Sequence, residues 1–127
     1  LASRAQAAMD AGISRDRIVV DPGLGFGKTV EQNLELIRRT PELIARVGLP
    51  VMSALSRKSF VGRVGLGRDS SPGERLEATL ALSTLHLSFG AGLFRVHDVQ
   101  AHRRALDAAW AALHTKQGFP ASESAHR

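Results

Sequence analysis

The sequence contains no cysteine, which rules out a disulfide framework, a thiolate nucleophile and any cysteine-ligated metal. Aromatics are scarce. Phe26, Phe60, Phe89, Phe94, Trp110 and Phe119 are the whole set, and none interleaves with a basic run as the stacking platforms of nucleic-acid binders do. No apolar run approaches membrane-spanning length, and the opening stretch LASRAQAAMDAG carries charges and an amphipathic alanine pattern unlike a secretory leader. Neither a nucleic-acid nor a membrane partner is expected, and a cytoplasmic setting is compatible. Complete nucleotide motifs are missing too. DPGLGFGKT, residues 21–29, resembles a phosphate loop, but the position five residues before Gly27 is Pro22, and Gly23, Gly25 and Gly27 alternate where a dinucleotide fingerprint needs Gly-x-Gly-x-x-Gly.

What is present is a soluble, globular composition: 127 residues, 43% hydrophobic and 23% charged. Lys and Arg number 17 against 12 Asp and Glu, and the resulting net charge of +5 attracts anionic ligands. Three short β-branched or apolar runs read as buried strands: Arg17–Val20, Leu49–Leu55 and Gly92–Val96. After the first, Thr29 and Gln32 form a capping box for a helix that Pro41 kinks or restarts. After the second, Ser71, Pro72 and Glu74 start a helix through RLEATLALSTLHLSF, apolar over much of its circumference and so expected to pack on two sides. Asp98 is expected to cap the last helix, with Val99, Leu106, Ala109, Trp110 and Leu113 as its stripe. Residues 116–127 read as a frayed tail, leaving 1–115 as the folded part.

The order is one helix and then three strand–helix units, which predicts parallel strands with helical crossovers. Such strands need cover on both faces, and the chain is short for that. The expected fold is therefore α/β: the C-terminal portion of a (β/α)8 TIM barrel, whose usual length is about 250 residues. Val19, Met52 and Phe94 should lie on adjacent parallel strands. The chain begins in mid-helix style at Leu1, which suggests a truncated N-terminus.

Function in such folds lies at the C-terminal ends of strands. There the sequence places Asp21, the turn Ser56-Arg57-Lys58-Ser59, and Arg95 with His97. Asp21 suits either a carboxylate accepting paired N–H groups of a guanidine-like heterocycle edge or a turn residue ahead of Pro22. The glycines at 23, 25 and 27 let the backbone turn beside a ligand, with Phe26 able to close on a ring. Lys58 and Ser59 stand where backbone N–H groups are free for an anion or carbonyl, or else form a solvated basic turn. Arg95 and His97, two apart on a strand, share a face and suit a phosphate or pyrophosphate leaving group; the alternative is a structural ion pair of Arg95. His86 reads as a packing residue and His102 as a partner of Asp98. No His, Asp and Glu set has metal-ligand spacing, and Ser56, Ser59 and His97 do not suggest a hydrolase triad.

Taken together, DPGLGFGKT, LSRKSFVG and RVHDV, in this order and at these intervals, resemble the dihydropteroate synthase family of pterin-binding enzymes from about Ile18 to Leu113. The resemblance implies a (β/α)8 barrel that joins 7,8-dihydropterin-6-ylmethyl diphosphate to 4-aminobenzoate and releases pyrophosphate. It also implies sulfonamides as competitors, a homodimer, and a Mg2+ ion whose protein ligand is not in this chain. Residue by residue, Asp21 corresponds to the pterin-binding aspartate and Lys58 to the lysine on the pterin. Phe26 and Ser59 correspond to aminobenzoate contacts, and Arg95 and His97 to the diphosphate pair. The family's N-terminal half is absent here, so the chain corresponds to units six to eight of eight, with about half a site and little activity alone expected. Two alternatives are a methyltetrahydrofolate-dependent methyltransferase of the same barrel family and a non-catalytic fragment that associates through its helices.

Overall fold

In a computed structural model, described over residues 1–115, the chain forms a small parallel sheet flanked by helices. The helices are α1 (Ala2–Asp10), α2 (Val30–Arg38), α3 (Thr40–Val47), α4 (Ser59–Leu66), α5 (Leu76–Ser88) and α6 (Val99–His114), and the strands are β1 (Met52–Ser53) and β2 (Leu93–Phe94). β1 is central. It pairs in parallel with β2, Met52 opposite Leu93 and Ser53 opposite Phe94, and the preceding Val51 pairs in parallel with Val20 on its other side. The ladder continues through Met52 N–H to the Val20 carbonyl (2.8 Å) and Arg95 N–H to the Ser53 carbonyl (2.9 Å).

The expected three adjacent parallel segments are therefore present, but they are shorter than the sequence suggested. Arg15–Arg17 is a 3-10 turn, so of the Arg17–Val20 run only Val20 is bridged. The third run is not buried either, since Leu93 is 40% exposed. Nothing flanks β2 on its far side among the described residues, and an edge strand with one uncovered face keeps its apolar side chains in solvent.

Local sequence explains most helix boundaries. The Thr29 hydroxyl accepts the Gln32 N–H at 3.1 Å while the Gln32 side chain accepts the Thr29 N–H at 2.9 Å, closing the capping box of α2. The chain breaks at Arg39 and restarts as α3 with Pro41 in its first turn, where a missing N–H costs nothing. The Ser71–Glu74 capping box also forms, but over a 3-10 turn, Pro72–Glu74, that Arg75 separates from α5.

Two corrections concern the last helices. Asp98 stands at the N-cap of α6, yet its side chain makes no capping hydrogen bond, because it is engaged by Arg57. The expected stripe of α6 faces solvent at Val99 (66% exposed), Trp110 and Leu113, while His102 is the buried residue of that helix. α5 does pack on several sides, against α4, α6 and β1. Its buried positions, however, are Thr79, Leu82, Ser83 and His86, mostly polar.

Two clusters form the core. Leu24, Ile37, Leu55, Phe60, Val61 and Leu82 join the glycine-rich loop to α2, α4 and α5, and Ala5, Val20, Leu49 and Val51 join α1 to the sheet. Burying a side chain such as Val61, which is 0% exposed, is worth roughly 1.5–3 kcal/mol. Leu24 and Phe60 matter most for function, because they anchor the two loops that carry Asp21 and Lys58. Among the described residues no helix is long and apolar enough to cross a membrane. The tail expected over 116–127 lies outside the described residues.

Candidate active site

Asp21 follows the Val20 bridge, Ser56–Ser59 follows the run through Leu55, and Arg95 follows β2. In a parallel sheet these are ends of the same sense, so all three segments leave the sheet on one side.

Asp21 takes the turn role that its sequence position allowed. Its Oδ1 accepts the Gly23 N–H at 2.9 Å, a turn contact, and the carboxylate remains only half-buried. The loop beyond it is tied down at several points. Gly23, Gly25 and Gly27 have φ of +73°, +85° and +61°, in the left-handed region that glycine enters without strain. The Lys28 ammonium donates to the carbonyls of Gly23 (2.8 Å) and Phe26 (3.0 Å). Asn33, 1% exposed on α2, accepts the Gly25 N–H at 2.7 Å and donates to the Thr29 carbonyl at 3.0 Å. With Leu24 buried below, Phe26 is left 65% exposed above.

Lys58 lies along this loop. Its ammonium stands 4.3 Å from the centroid of the Phe26 ring, over its face, and donates to the Leu24 carbonyl. A Cβ on Gly25 would come within 2.7 Å of the Lys58 Cδ, so the glycine makes room for the lysine stem. Burial pushes the Lys58 ammonium below its ordinary pKa; Asp21 acts against that shift, while Arg95 and Lys28 reinforce it. Asp21, Lys58 and Arg95 therefore share one electrostatic neighbourhood. Ser59 is exposed as the first residue of α4, and Lys58 is the N-cap of that helix.

The third cluster links two loops. Arg57 adopts φ +59°, unusual for a residue with a side chain. Its N–H donates to the Thr79 hydroxyl at 3.2 Å and its carbonyl accepts from Arg75 at 2.7 Å. Its guanidinium grips Asp98 through two nitrogens, at 3.2 and 2.9 Å, which holds the Asp98 carboxyl below its ordinary pKa and raises that of Arg57. Ser56, 6% exposed, accepts the His97 N–H at 3.1 Å and stands 2.8 Å from the His97 Nδ1. Arg95 and His97 themselves are exposed. Arg95 is thus not the buried strand arginine that the sequence suggested, because β2 ends at Phe94. Among the described residues the ion pairs leave Arg95 out, against the alternative of a structural pair.

Two contributions escape sequence reasoning. Asn33 carries a usable signal, since a polar residue stands four before Ile37 on the inward face of an amphipathic helix. The Ser56–His97 and Arg57–Asp98 contacts span 41 positions, and no local pattern encodes them. His86 and His102 are buried and make internal contacts. His102 Nδ1 bonds the Asp98 backbone carbonyl rather than its carboxylate, and His86 Nδ1 lies 2.8 Å from the Ser53 hydroxyl. Among the described residues no three His, Asp or Glu side chains gather as metal ligands.

Beyond one end of the sheet the arrangement presents a half-buried carboxylate and ammonium at Asp21 and Lys58 and an exposed guanidinium and imidazole at Arg95 and His97. Known proteins resemble it. A family model described as pterin binding enzyme matches residues 1–97. The dihydropteroate synthase of Streptococcus pyogenes serotype M3 is 45% identical over 103 residues, covering 81% of this chain and 38% of that protein. The Xanthomonas albilineans dihydropteroate synthase with 4-aminobenzoic acid superposes with a TM-score of 0.82 at 39% identity, over 89% of this chain and 40% of that one. The Thermus thermophilus dihydropteroate synthase in complex with 6HMPPP gives 0.80 at 42% identity, over 91% and 43%. The chain thus spans less than half the length of the relatives it matches, and its fold is a portion of their (β/α)8 barrel.

Proposed function

Because the chain belongs to the family of pterin-binding enzymes, we propose that it serves the dihydropteroate synthase reaction: condensation of 7,8-dihydropterin-6-ylmethyl diphosphate with 4-aminobenzoate, in the cytoplasm. The observation that carries this is the gathering of Asp21, Lys58, Arg95 and His97 beyond one end of the sheet, on the three motifs whose order matches the family. Relatives of this chain bind 4-aminobenzoic acid and 6HMPPP, which supports the pair of substrates. Asp21 accepts N–H groups of the pterin edge and Lys58 contacts the ring. Phe26 and Ser59 border the aminobenzoate, and sulfonamides compete there.

The pterin methylene C–O bond breaks first, its electron pair leaving with the diphosphate oxygen. The amine nitrogen of aminobenzoate then attacks the methylene carbon and loses its proton. Asp21 stabilises the positive charge on the pterin, while Arg95 and His97 take up the negative charge of the leaving group. The Mg2+ ion that the family implies would help to neutralise the diphosphate and would draw its protein ligand from outside this chain. The exposed apolar side chains Val99, Trp110 and Leu113 of α6 support self-association as a homodimer, which sedimentation of a Trp110→Glu variant would test.

Calorimetry with two ligands tests the assignment. Arg95→Ala removes a charge-assisted contact of roughly 1.5–3 kcal/mol, so pyrophosphate binding should weaken by about ten- to a hundredfold, with little change for a pterin that lacks the diphosphate. Asp21→Asn should do the reverse. Equal losses of both ligands in both variants would mean that these residues hold the fold and not the substrate.

A further inference from the structure

Ser56 has one proton and two neighbours on the same residue, and that count constrains the imidazole of His97. Its oxygen accepts the His97 backbone N–H at 3.1 Å. Its hydroxyl proton is then free to point along the 2.8 Å line to the His97 Nδ1. With Nδ1 as acceptor, a neutral imidazole carries its proton on Nε2, the nitrogen away from the serine. With the opposite tautomer, Nδ1–H and the backbone N–H would both point at one oxygen, and the serine proton would need another acceptor; the structure gives it none among the described residues.

The neighbouring contacts limit relaxation. Ser56 is 6% exposed, Arg57 beside it is fixed in the left-handed region, and the two-nitrogen grip of Arg57 on Asp98 anchors the residue after His97. The two loops that carry the serine and the histidine thus cannot separate without breaking the ion pair that joins them, and the backbone bond from His97 N–H keeps the imidazole within reach of the hydroxyl. We infer that Ser56 is a positioning residue: it holds the neutral His97 in the Nε2–H tautomer and aims that N–H outward as a donor to the oxygens of a bound diphosphate. This rests on the reading of Arg95 and His97 as the diphosphate pair, but the tautomer can be observed without any ligand.

The test is long-range 1H–15N correlation spectroscopy of the 15N-labelled protein at a pH where the imidazole is neutral, with the His97 signals assigned by comparison with His97→Gln. The expected result is a protonated Nε2 and an unprotonated Nδ1 in the unmodified protein, a tautomer mixture in Ser56→Ala, and restoration in Ser56→Thr, which keeps the hydroxyl. Pyrophosphate titration should show weakening by roughly three- to tenfold in Ser56→Ala, the range of one neutral hydrogen bond, and recovery in Ser56→Thr. A protonated Nδ1 in the unmodified protein overturns the inference outright, even if Ser56→Ala does not fold. An unchanged tautomer in a folded Ser56→Ala overturns it as well. If the tautomer responds as expected but the unmodified protein binds no pyrophosphate, the diphosphate reading fails and the role of Ser56 in setting the tautomer stands.

Discussion

Lowering the pH from neutral to about 4 should destabilise this protein through one buried imidazole. His86 is 0% exposed between α5 and β1, with Nδ1 on the Ser53 hydroxyl and Nε2 lacking a hydrogen-bond partner among the described residues. Burial is the main reason its pKa is pushed down from 6.5 to about 4; Asp21 opposes the shift. The folded chain therefore keeps His86 neutral over a range in which the unfolded chain has already taken up a proton. The full contribution to stability is present above 6.5, declines as pH falls, and is lost once pH passes the folded value near 4. At about 1.36 kcal/mol per pH unit, the gap between 6.5 and about 4 amounts to about 3 kcal/mol, a large part of a small domain's stability. Urea unfolding followed from pH 7.5 to 4 should show this loss. The double variant Ser53→Ala/His86→Leu should lack it, while remaining about as stable at neutral pH, because an imperfectly satisfied polar pair is exchanged for apolar groups. Parallel stability profiles for the two proteins across that range would refute the reasoning.

The loop of the candidate site offers two more tests. Asn33→Ala leaves the Gly25 N–H without its buried acceptor and should cost about 1–3 kcal/mol in thermal unfolding, and an unchanged melting temperature would show that the loop holds its shape without that tie. Gly25→Ala combines φ +85° with a Cβ 2.7 Å from the Lys58 Cδ. About 1–2 kcal/mol of backbone strain is expected, together with displacement of the lysine and weaker pterin binding; unaltered stability and binding would exclude the proposed packing.

Those residues also show what is legible in the sequence. Thr29 with Gln32, Pro41, and the three motifs at the strand ends encode local chemistry, and each sits where its local rule places it. α4 is hard to read from sequence because SFVGRVGL carries Gly62 and Gly65, which lower helix propensity. Contact explains its presence: Gly62 lies against Ser70 and Arg75, Gly65 against Ala78, and a side chain at either position would collide. Competition explains Asp98, whose nearby guanidinium partner wins over the backbone N–H groups of α6. Val99, Trp110 and Leu113 of the α6 stripe point outward because periodicity marks an apolar face without naming what covers it.

The buried polar residues of α5 have a consequence for alignment. A helix that is apolar nearly all round has little to distinguish one rotation about its axis from another, since dispersion and hydration are non-directional. Thr79, Ser83 and His86 recur at helical spacing, and each meets a different element: the Arg57 N–H, His102 of α6 and Ser53 of β1. Hydrogen bonds depend steeply on angle, so these three act like the teeth of a key, engaging together at one rotation and one axial setting of α5. The same setting fixes the left-handed bend at Arg57, and through it the spacing between the lysine and the histidine that the proposed reaction uses.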